Sequence, residues 1–193
     1  MTVERVFVLS PARLDGVRAR MLVRPEAAFE LAVRLRDEGA TLGEVMAFTS
    51  GLYFRGKLAY ARAFARPPVG MEGVLVVTPC EGLVPADTRV GPADLARLGA
   101  VPVDPRDPRY ADPLRRDLAA LAGAHPTCPV VLLGSVATGK YLGPLAETLP
   151  GRVLVPRDFV GMGDMRRGSV LLRAVREGAE LVYAPPETLL GGA

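Results

Sequence analysis

The sequence predicts an α/β fold with a mainly parallel central sheet of about four or five strands and helices on both faces. The first observation is a set of four short runs rich in Val and Leu, at residues 5–10, 73–78, 129–134 and 152–156. Between their end residues these runs are apolar at every position, whereas a strand with one face in water alternates apolar and polar side chains. The second observation is that segments with helical spacing separate the runs, which is the pattern of strands joined by crossover helices.

The helical segments are recognised from their apolar spacing and their end signals. Residues 25–38 have a helical apolar stripe, and Pro25 suits the first helical position. Thr41 and Glu44 have the spacing of a capping box, which predicts a helix beginning there. The Pro- and Asp-rich residues 101–113 are predicted to form a loop. The remaining helices are predicted at residues 53–65, 92–98, 114–124, 142–149 and 169–177.

Size and composition predict a single α/β domain over residues 1–193. With 49% hydrophobic and 23% charged residues, the chain has an ordinary globular composition, which excludes intrinsic disorder. No apolar run approaches the roughly 20 residues of a membrane-spanning helix, so we expect a cytoplasmic protein with no membrane partner. The sequence lacks the thermolabile amides Asn and Gln and contains 18 prolines, which is typical of proteins from thermophiles.

Composition also narrows the chemistry. A single histidine, His125, cannot form a His-rich metal site, and two cysteines are too few for a structural zinc site or a disulfide framework. We therefore predict no metal, no cofactor and two free thiols. The net charge of +3 is compatible with a nucleotide or nucleic-acid partner without requiring one, and the oligomeric state is left open.

Candidate site residues lie in the segments that follow the strands, because ligands of open parallel sheets bind beyond the carboxyl ends of the strands. Ser10 follows the first strand, Glu81 follows the second and Asp164 lies in a late glycine-rich loop. These three are the predicted catalytic residues. A carboxylate among them would polarise a water molecule as a general base, a role that contributes roughly 10²–10⁴ in rate. The predicted ligand-binding residues of the first two segments are Arg18, Thr78 and Gly82.

The segment GSVATGKY after the third strand has the G-x-x-x-x-G-K spacing of a phosphate-binding loop. Such a loop places Ser or Thr after the lysine to hold magnesium, whereas Tyr141 stands here. Three interpretations stay open: a P-loop-like nucleotide hydrolase, an anion site made by Ser135, Thr138 and helix-start amides, or a tight turn with Lys140 in solvent. The predicted ligand-binding residues of this segment are Gly134, Ser135, Thr138, Gly139, Lys140 and Tyr141.

Residues 161–173 concentrate three glycines, Asp164 and several arginines. Arginine forks and helix-start amides favour phosphate or carboxylate, so Arg166 and Arg167 are predicted to bind ligand. The alternative is that Asp164 caps a helix and pairs with these arginines on the surface.

Aromatic and basic residues are interleaved from position 53 onward. Tyr53 and Arg55 are predicted to bind ligand, because an aromatic ring stacks on a base and a nearby cation meets phosphate. The alternative places the aromatic side chains in the core, with only Arg55 and Lys57 outside it.

Four motifs in the order VLSPA, GLYFRGKLAYARAF, VVTPCEGLVPADTRV and GSVATGKYLGPL resemble a group of bacterial proteins of unknown function. The resemblance spans most of the chain and implies an α/β fold with these loops at its site. VVLLGSVATGKYLGPL, together with the position of VLSPA, is more distantly similar to the uracil-DNA glycosylase superfamily, which implies a parallel sheet and a base-recognising pocket. Those enzymes carry Asp or Asn in the first loop and a His-Pro-Ser-like segment after the last strand, where this chain has Ser10-Pro11 and Arg157-Asp158-Phe159.

The sequence therefore predicts a protein that binds a nucleotide or a nucleic-acid component and, if it is an enzyme, hydrolyses the N-glycosidic bond of that ligand. Two alternatives belong to different classes. A P-loop-like nucleotide hydrolase would depend on magnesium and on Lys140. A non-catalytic protein-interaction domain would use the same loops to contact a partner chain.

Overall fold

The computed structural model describes residues 4–190, and two sheets form within that range. All strands are short, between two and five residues long. In chain order they are β1 (Val6–Leu9), β2 (Ala40–Thr41), β3 (Val74–Thr78), β4 (Gly82–Pro85), β5 (Arg89–Val90), β6 (Val130–Leu133), β7 (Val153–Pro156) and β8 (Tyr183–Ala184).

Helices occupy most of the segments between the strands. No helix within residues 4–190 is both long enough and apolar enough to cross a membrane. In chain order the helices are α1 (Val17–Leu22), α2 (Glu30–Asp37), α3 (Leu42–Ser50), α4 (Leu52–Phe64), α5 (Pro92–Gly99), α6 (Pro108–Ala124), α7 (Leu142–Thr148), α8 (Asp164–Glu177) and α9 (Pro186–Leu190).

The main sheet has the strand order β4-β3-β1-β6-β7-β8. Its four inner strands run parallel, while β4 and β8 are antiparallel edge strands. The predicted α/β class with a mainly parallel sheet and helices on both faces is confirmed. The sheet has six strands rather than four or five, because the two edge strands contain no continuous Val and Leu run that would signal them. Strands β2 and β5 pair separately, as a small antiparallel ribbon.

Both faces of the sheet are buried, which explains why its inner strands are apolar at every position except Thr78, the last residue of β3. Along β1, Phe7 and Leu9 point toward the face that is covered by α2, α3, α4, α5 and α8. Val6 and Val8 point to the opposite face, which α6 and α7 cover. Burial of these side chains removes apolar surface from water on both sides, the main stabilising term of such a fold.

The structure corrects the predicted start of α2 and confirms that of α3. Helix α2 begins at Glu30, and Pro25 lies outside it because the Arg36 guanidinium donates hydrogen bonds to the carbonyls of Pro25 and Ala27 and holds that segment in a turn. Helix α3 begins as predicted, with both capping-box hydrogen bonds formed: the Glu44 amide donates to Thr41 Oγ1, and the Thr41 amide donates to the Glu44 carboxylate.

Helix α6 begins inside the stretch that was predicted to be a loop. Asp107 accepts a hydrogen bond from the Arg109 amide at 2.9 Å, and Pro108 occupies the first helical position. Amides in the first turn of a helix have no partner within the helix. Proline, which has no amide hydrogen, therefore loses no hydrogen bond at this position. Helix α8 likewise begins earlier than predicted, at Asp164.

Helices α4 and α8 cross at two glycines. A Cβ atom at Gly168 would lie 2.9 Å from the Leu52 carbonyl oxygen and 3.0 Å from Tyr53 Cα, and one at Gly56 would lie 2.8 Å from the Gly168 carbonyl oxygen. Both clashes are with backbone, which cannot move aside without separating the helices. The missing side chains therefore set the distance between α4 and α8, and the first turn of α8 lies near the carboxyl end of β1.

We expect Gly168→Ala to destabilise the protein by about 1–3 kcal/mol, the usual cost of overpacking, despite the better helix propensity of alanine. Gly143→Ala is the matched control, because Gly143 is also helical and an added Cβ there meets nothing within 4 Å. Urea denaturation measures both free energies of unfolding. A Gly168→Ala variant as stable as Gly143→Ala would contradict the close crossing.

Candidate functional site

The parallel strands β1 and β6 are neighbours whose connections leave in opposite directions. From β1 the chain runs through α1–α4 over one face of the sheet and returns as β3, whereas from β6 it runs through α7 over the other face and returns as β7. Where adjacent connections diverge in this way, an open α/β sheet has a crevice at the carboxyl ends of its strands. That point lies between Leu9 and Leu133, which are paired in register.

A cavity of about 350 Å³ opens at this point, and we call it the β1–β6 crevice. It draws its walls from the ends of β1 and β6, from helices α3 and α4 and from the start of α8. The side chains that matter for its chemistry are Ser10, Arg13, Tyr53, Lys57, Ser135 and Asp164.

Ser10 lies on the sheet side of the crevice. Its amide donates a hydrogen bond of 3.1 Å to the Leu133 carbonyl, which extends the β1–β6 pairing by one residue. A Cβ atom at Gly134 would lie 2.9 Å from Ser10 Cβ and 3.0 Å from Ser10 Oγ. Gly134 is therefore required here, because any side chain at that position would displace the Ser10 hydroxyl.

Lys57 is buried beside Ser10, with 2% of its surface exposed. Its Nζ atom lies 2.6 Å from the Ser10 carbonyl oxygen and 2.9 Å from Ser10 Oγ. The rings of Tyr53 and Phe54 cover it, with centroids 4.6 Å and 4.8 Å from Nζ. The aromatic side chains of α4 lie in the core, as one alternative predicted, but the accompanying placement of Lys57 in solvent is wrong.

The environment of Lys57 disfavours its charged form. Burial lowers the pKa of Lys57 from 10.5 to about 7, the Asp164 carboxylate opposes that shift and the Arg167 guanidinium adds to it. A lysine with such a pKa is partly a neutral amine at physiological pH and can act as a base. Desolvated titratable groups in a cleft are typical of functional sites.

Asp164 and Arg167 stand at the start of α8. The Asp164 side chain lines the crevice and is 71% exposed. Arg167 is buried, and its Nε and Nη2 atoms donate to the Phe159 carbonyl at 3.2 Å and 2.9 Å. Its Nη1 atom is 3.5 Å from Asp164 Oδ1, a long contact that contributes little. Arg167 therefore fastens the preceding loop onto α8, and Gly163 rather than Asp164 is the cap residue of the helix.

Two tyrosines form aromatic walls of the crevice. Tyr53 is buried, and its hydroxyl has no hydrogen-bond partner among the residues that the structure describes. Burial raises the pKa of Tyr53, although the Arg167 charge opposes the shift, and burial also raises the pKa of Tyr141. Both phenols therefore remain protonated at neutral pH.

The predicted residues after β3 lie elsewhere and serve a turn. Thr78 Oγ1 donates to the Gly82 carbonyl at 3.0 Å and accepts from the Glu81 amide at 2.9 Å. The Glu81 carboxylate forms an ion pair with Arg97. Gly82 has a φ of +75°, and a Cβ there would collide with Asp117. The structure therefore does not bring Thr78, Glu81 and Gly82 to the crevice.

The segment after β6 is divided between the crevice and the surface. Ser135 and Tyr141 line the crevice, while Thr138, Gly139 and Lys140 are exposed. Lys140 instead lines a neighbouring cavity of about 510 Å³, which also contacts Tyr141 and Arg13. Helix α7 begins only at Leu142 and has seven residues, so Lys140 belongs to the turn before the helix.

None of the four arginines that were predicted to bind ligand lines the crevice, and Arg167 is held by the Phe159 carbonyl. Arg18 and Arg55 line a separate groove of about 770 Å³, whose wall includes the stacked rings of Phe29 and Phe48, with centroids 5.3 Å apart. Arg166 is exposed on the first turn of α8. Of the predicted residues, the structure brings Ser10, Tyr53, Ser135, Tyr141 and Asp164 together in the crevice, with Gly134 packed behind Ser10.

Sequence reasoning missed Lys57 as a site residue, although a signal for it was present. Lys57 follows Tyr53 by four positions and precedes Tyr60 by three, so all three side chains share one face of a helix. Since that face is predicted to be buried, a lysine on it needs an internal acceptor. The Ser10 carbonyl and hydroxyl supply two.

No protein-family model, curated protein or solved structure matches this chain. The fold and the crevice define an α/β protein with a polar site at the divergence of two parallel strands. Fold alone does not determine function, which depends on the groups at such a site.

We expect the side-chain resonance of Lys57 to titrate near pH 7 in lysine-labelled NMR spectra. The sequence has only one other lysine, so Lys140→Met assigns the two signals. Asp164→Asn should lower the pKa of Lys57 further, because the neighbouring negative charge is removed, whereas Asp158→Asn should not. A Lys57 signal that titrates near 10 would contradict the buried amine.

The same shift makes stability depend on pH. Between about pH 7 and pH 10.5 the unfolded chain holds a proton on Lys57 that the folded chain has released, so this group adds stability as pH rises. From pH 7.5 to 9.5 the free energy of unfolding should rise more steeply in the wild type than in Lys57→Met, by up to about 1.4 kcal/mol per pH unit. Equal slopes in urea titrations would rule the linkage out.

Proposed function

We propose that the β1–β6 crevice binds a nucleotide or a component of nucleic acid. The observation that carries the proposal is that five residues chosen from separate parts of the sequence, Ser10, Tyr53, Ser135, Tyr141 and Asp164, line one cavity at the divergence of β1 and β6. Sheets of this architecture bind their ligands at that point.

The crevice offers the contacts that a nucleoside needs. Tyr53 and Tyr141 supply aromatic surface for a base, and stacking on such a ring contributes roughly 1–3 kcal/mol per base. The hydroxyls of Ser10 and Ser135 can donate to or accept from sugar and base atoms.

The charges around the crevice favour a phosphorylated ligand. Arg13 contributes positive charge to its lining, and Lys57 does so in its protonated form, against one lining carboxylate in the described residues, Asp164. Arg13 is highly exposed and forms a forked ion pair with Asp15, so its guanidinium can turn toward a phosphate with little loss. The net charge of +3 adds a weak general attraction.

The reaction we propose for this ligand is hydrolysis of its N-glycosidic bond. Such a reaction needs a carboxylate that orients or deprotonates a water molecule, and Asp164 is exposed at the lip of the crevice where water has access. Glu81, the other predicted carboxylate, is paired with Arg97 in the β3–β4 turn. The P-loop-like hydrolase and the interaction domain stay predictions that no contact of the crevice favours.

We expect isothermal titration calorimetry to show that a nucleoside monophosphate binds more tightly than its nucleoside, and that added salt reduces the difference. Arg13→Ala should weaken nucleotide binding about three- to tenfold, the effect of one exposed charge-assisted contact. Arg115→Ala is the control, because Arg115 is also exposed and paired, with Glu147, but lies on α6 at the opposite face. No binding of any base, nucleoside, nucleotide or single-stranded oligonucleotide would overturn the proposal.

We expect Asp164→Ala to abolish release of free base from the nucleoside or oligonucleotide that binds, without changing the urea midpoint by much, since Asp164 is mostly exposed. Chromatography of the reaction products measures base release. Asp158→Ala is the matched control, because Asp158 is an exposed aspartate between β7 and α8 that lies outside the crevice lining. Equal base release from both variants would remove Asp164 from the reaction.

A further inference from the structure

Ser10 and Lys57 form a pair that nucleotide binding alone does not require. Ser10 Oγ is 2.9 Å from Lys57 Nζ, and both side chains are on the wall of the same cavity. A neutral amine satisfies both contacts of Nζ at once. In its charged form Nζ donates both to the Ser10 carbonyl at 2.6 Å and to Ser10 Oγ at 2.9 Å. In its neutral form it can keep the bond to the carbonyl while its lone pair accepts the Ser10 hydroxyl proton.

We propose that Ser10 is a nucleophile and Lys57 its general base, and that the pair attacks the phosphorus of a phosphoester. The assignment depends on geometry: a hydroxyl at the crevice wall, a buried amine in hydrogen-bond contact with it, and Gly134 behind it, whose missing side chain leaves room for the hydroxyl. Serine–lysine pairs are an established variant of the serine–histidine arrangement. The activity uses different groups of the crevice from the Asp164 reaction.

The step balances without a further reactant. Ser10 Oγ forms a bond to phosphorus as its proton passes to Lys57, and the bond from phosphorus to the leaving alcohol breaks. Lys57 returns the proton to that alkoxide. Water then attacks the phosphoserine, Lys57 accepts a proton from it, and the Ser10 oxygen leaves and is reprotonated. Phosphoester and water are consumed, and alcohol and phosphate are formed.

The groups around Nζ act in opposite directions on the pKa of Lys57. Asp164 of α8 favours the charged amine, whereas Arg167 of α8 and burial disfavour it. The rings of Tyr53 and Phe54 stabilise the cation and exclude water from it. These opposing influences leave the pKa of Lys57 at about 7, where a base and its conjugate acid are both populated at neutral pH.

The phosphoester as electrophile rests on the proposed function, whereas the nucleophile rests on the Ser10–Lys57 contact alone. A fluorophosphonate probe separates the two. Its P–F bond breaks as serine oxygen bonds to phosphorus, fluoride leaves and the proton goes to the amine, so it reports a nucleophilic serine without a known substrate. The chain has four serines, Ser10, Ser50, Ser135 and Ser169, and peptide mass mapping distinguishes them.

We expect one adduct, on Ser10, whose rate of formation increases about tenfold between pH 6 and pH 8 as Lys57 loses its proton. Lys57→Met should slow labelling about 100-fold or more, while Ser169→Ala, an exposed serine of α8, should label like the wild type. Ser10→Ala retains the carbonyl that Lys57 contacts and should give no adduct. The pH profile of the unmodified protein tests the pair even if Lys57→Met does not fold.

Absence of an adduct, an adduct on Ser50 or Ser135 instead, or a rate independent of pH would each overturn the Ser10–Lys57 assignment. A nucleotide that binds the crevice should also slow the labelling. Nucleotide binding without labelling would leave the proposed function standing and remove this one. Labelling of Ser10 in a protein that binds no nucleotide would support the nucleophile and remove the phosphoester of a nucleotide as its target.

Discussion

One hydrogen bond organises the site: the Lys57 amine donates to the carbonyl of Ser10, the first residue beyond β1. A buried carbonyl without a partner costs about 1–3 kcal/mol, and the strand pairing ends at this point, so the acceptor must be satisfied from outside the sheet. Helix α4 supplies the donor, and Gly56 and Gly168 let α8 lie directly against that helix. The close approach of α8 to α4 brings Asp164 to the cavity that Ser10 and Lys57 line, so the carboxylate joins the amine and the hydroxyl through the packing of α8 on α4.

The sequence was sufficient to predict the inner strands, whose side chains are buried on both faces of the sheet, and the start of α3. The four inner strands are apolar at every position except Thr78, and the capping box of α3 is a local signal, so all were predictable. Strands β4 and β8 depend on partners across the sheet rather than on their own residues. The start of α2 was missed because Arg36 binds the carbonyl of Pro25, a contact between residues eleven positions apart that local spacing does not show.

The candidate site was predictable where a strand is followed by a crossover, and not where it is followed by a hairpin. Ser10 and Ser135 follow β1 and β6, whose chains leave the sheet and open a crevice. Strand β3 turns directly into β4. The Thr78 hydroxyl therefore forms hydrogen bonds within the turn, and the Glu81 carboxylate pairs with Arg97 beside it. Lys57 required knowledge of which carbonyl lies opposite its helix face, and only the tertiary structure contains that information.

The edge strands of the sheet affect whether molecules of this protein associate at high concentration. An exposed strand edge is a template on which a strand of another molecule can pair. Here one edge strand, β4, ends in Pro85, which has no amide hydrogen to offer, and the other, β8, is two residues long and is followed by Pro185 and Pro186. Neither edge presents a long unbroken row of donors and acceptors, so the native state resists strand-to-strand polymerisation at high concentration.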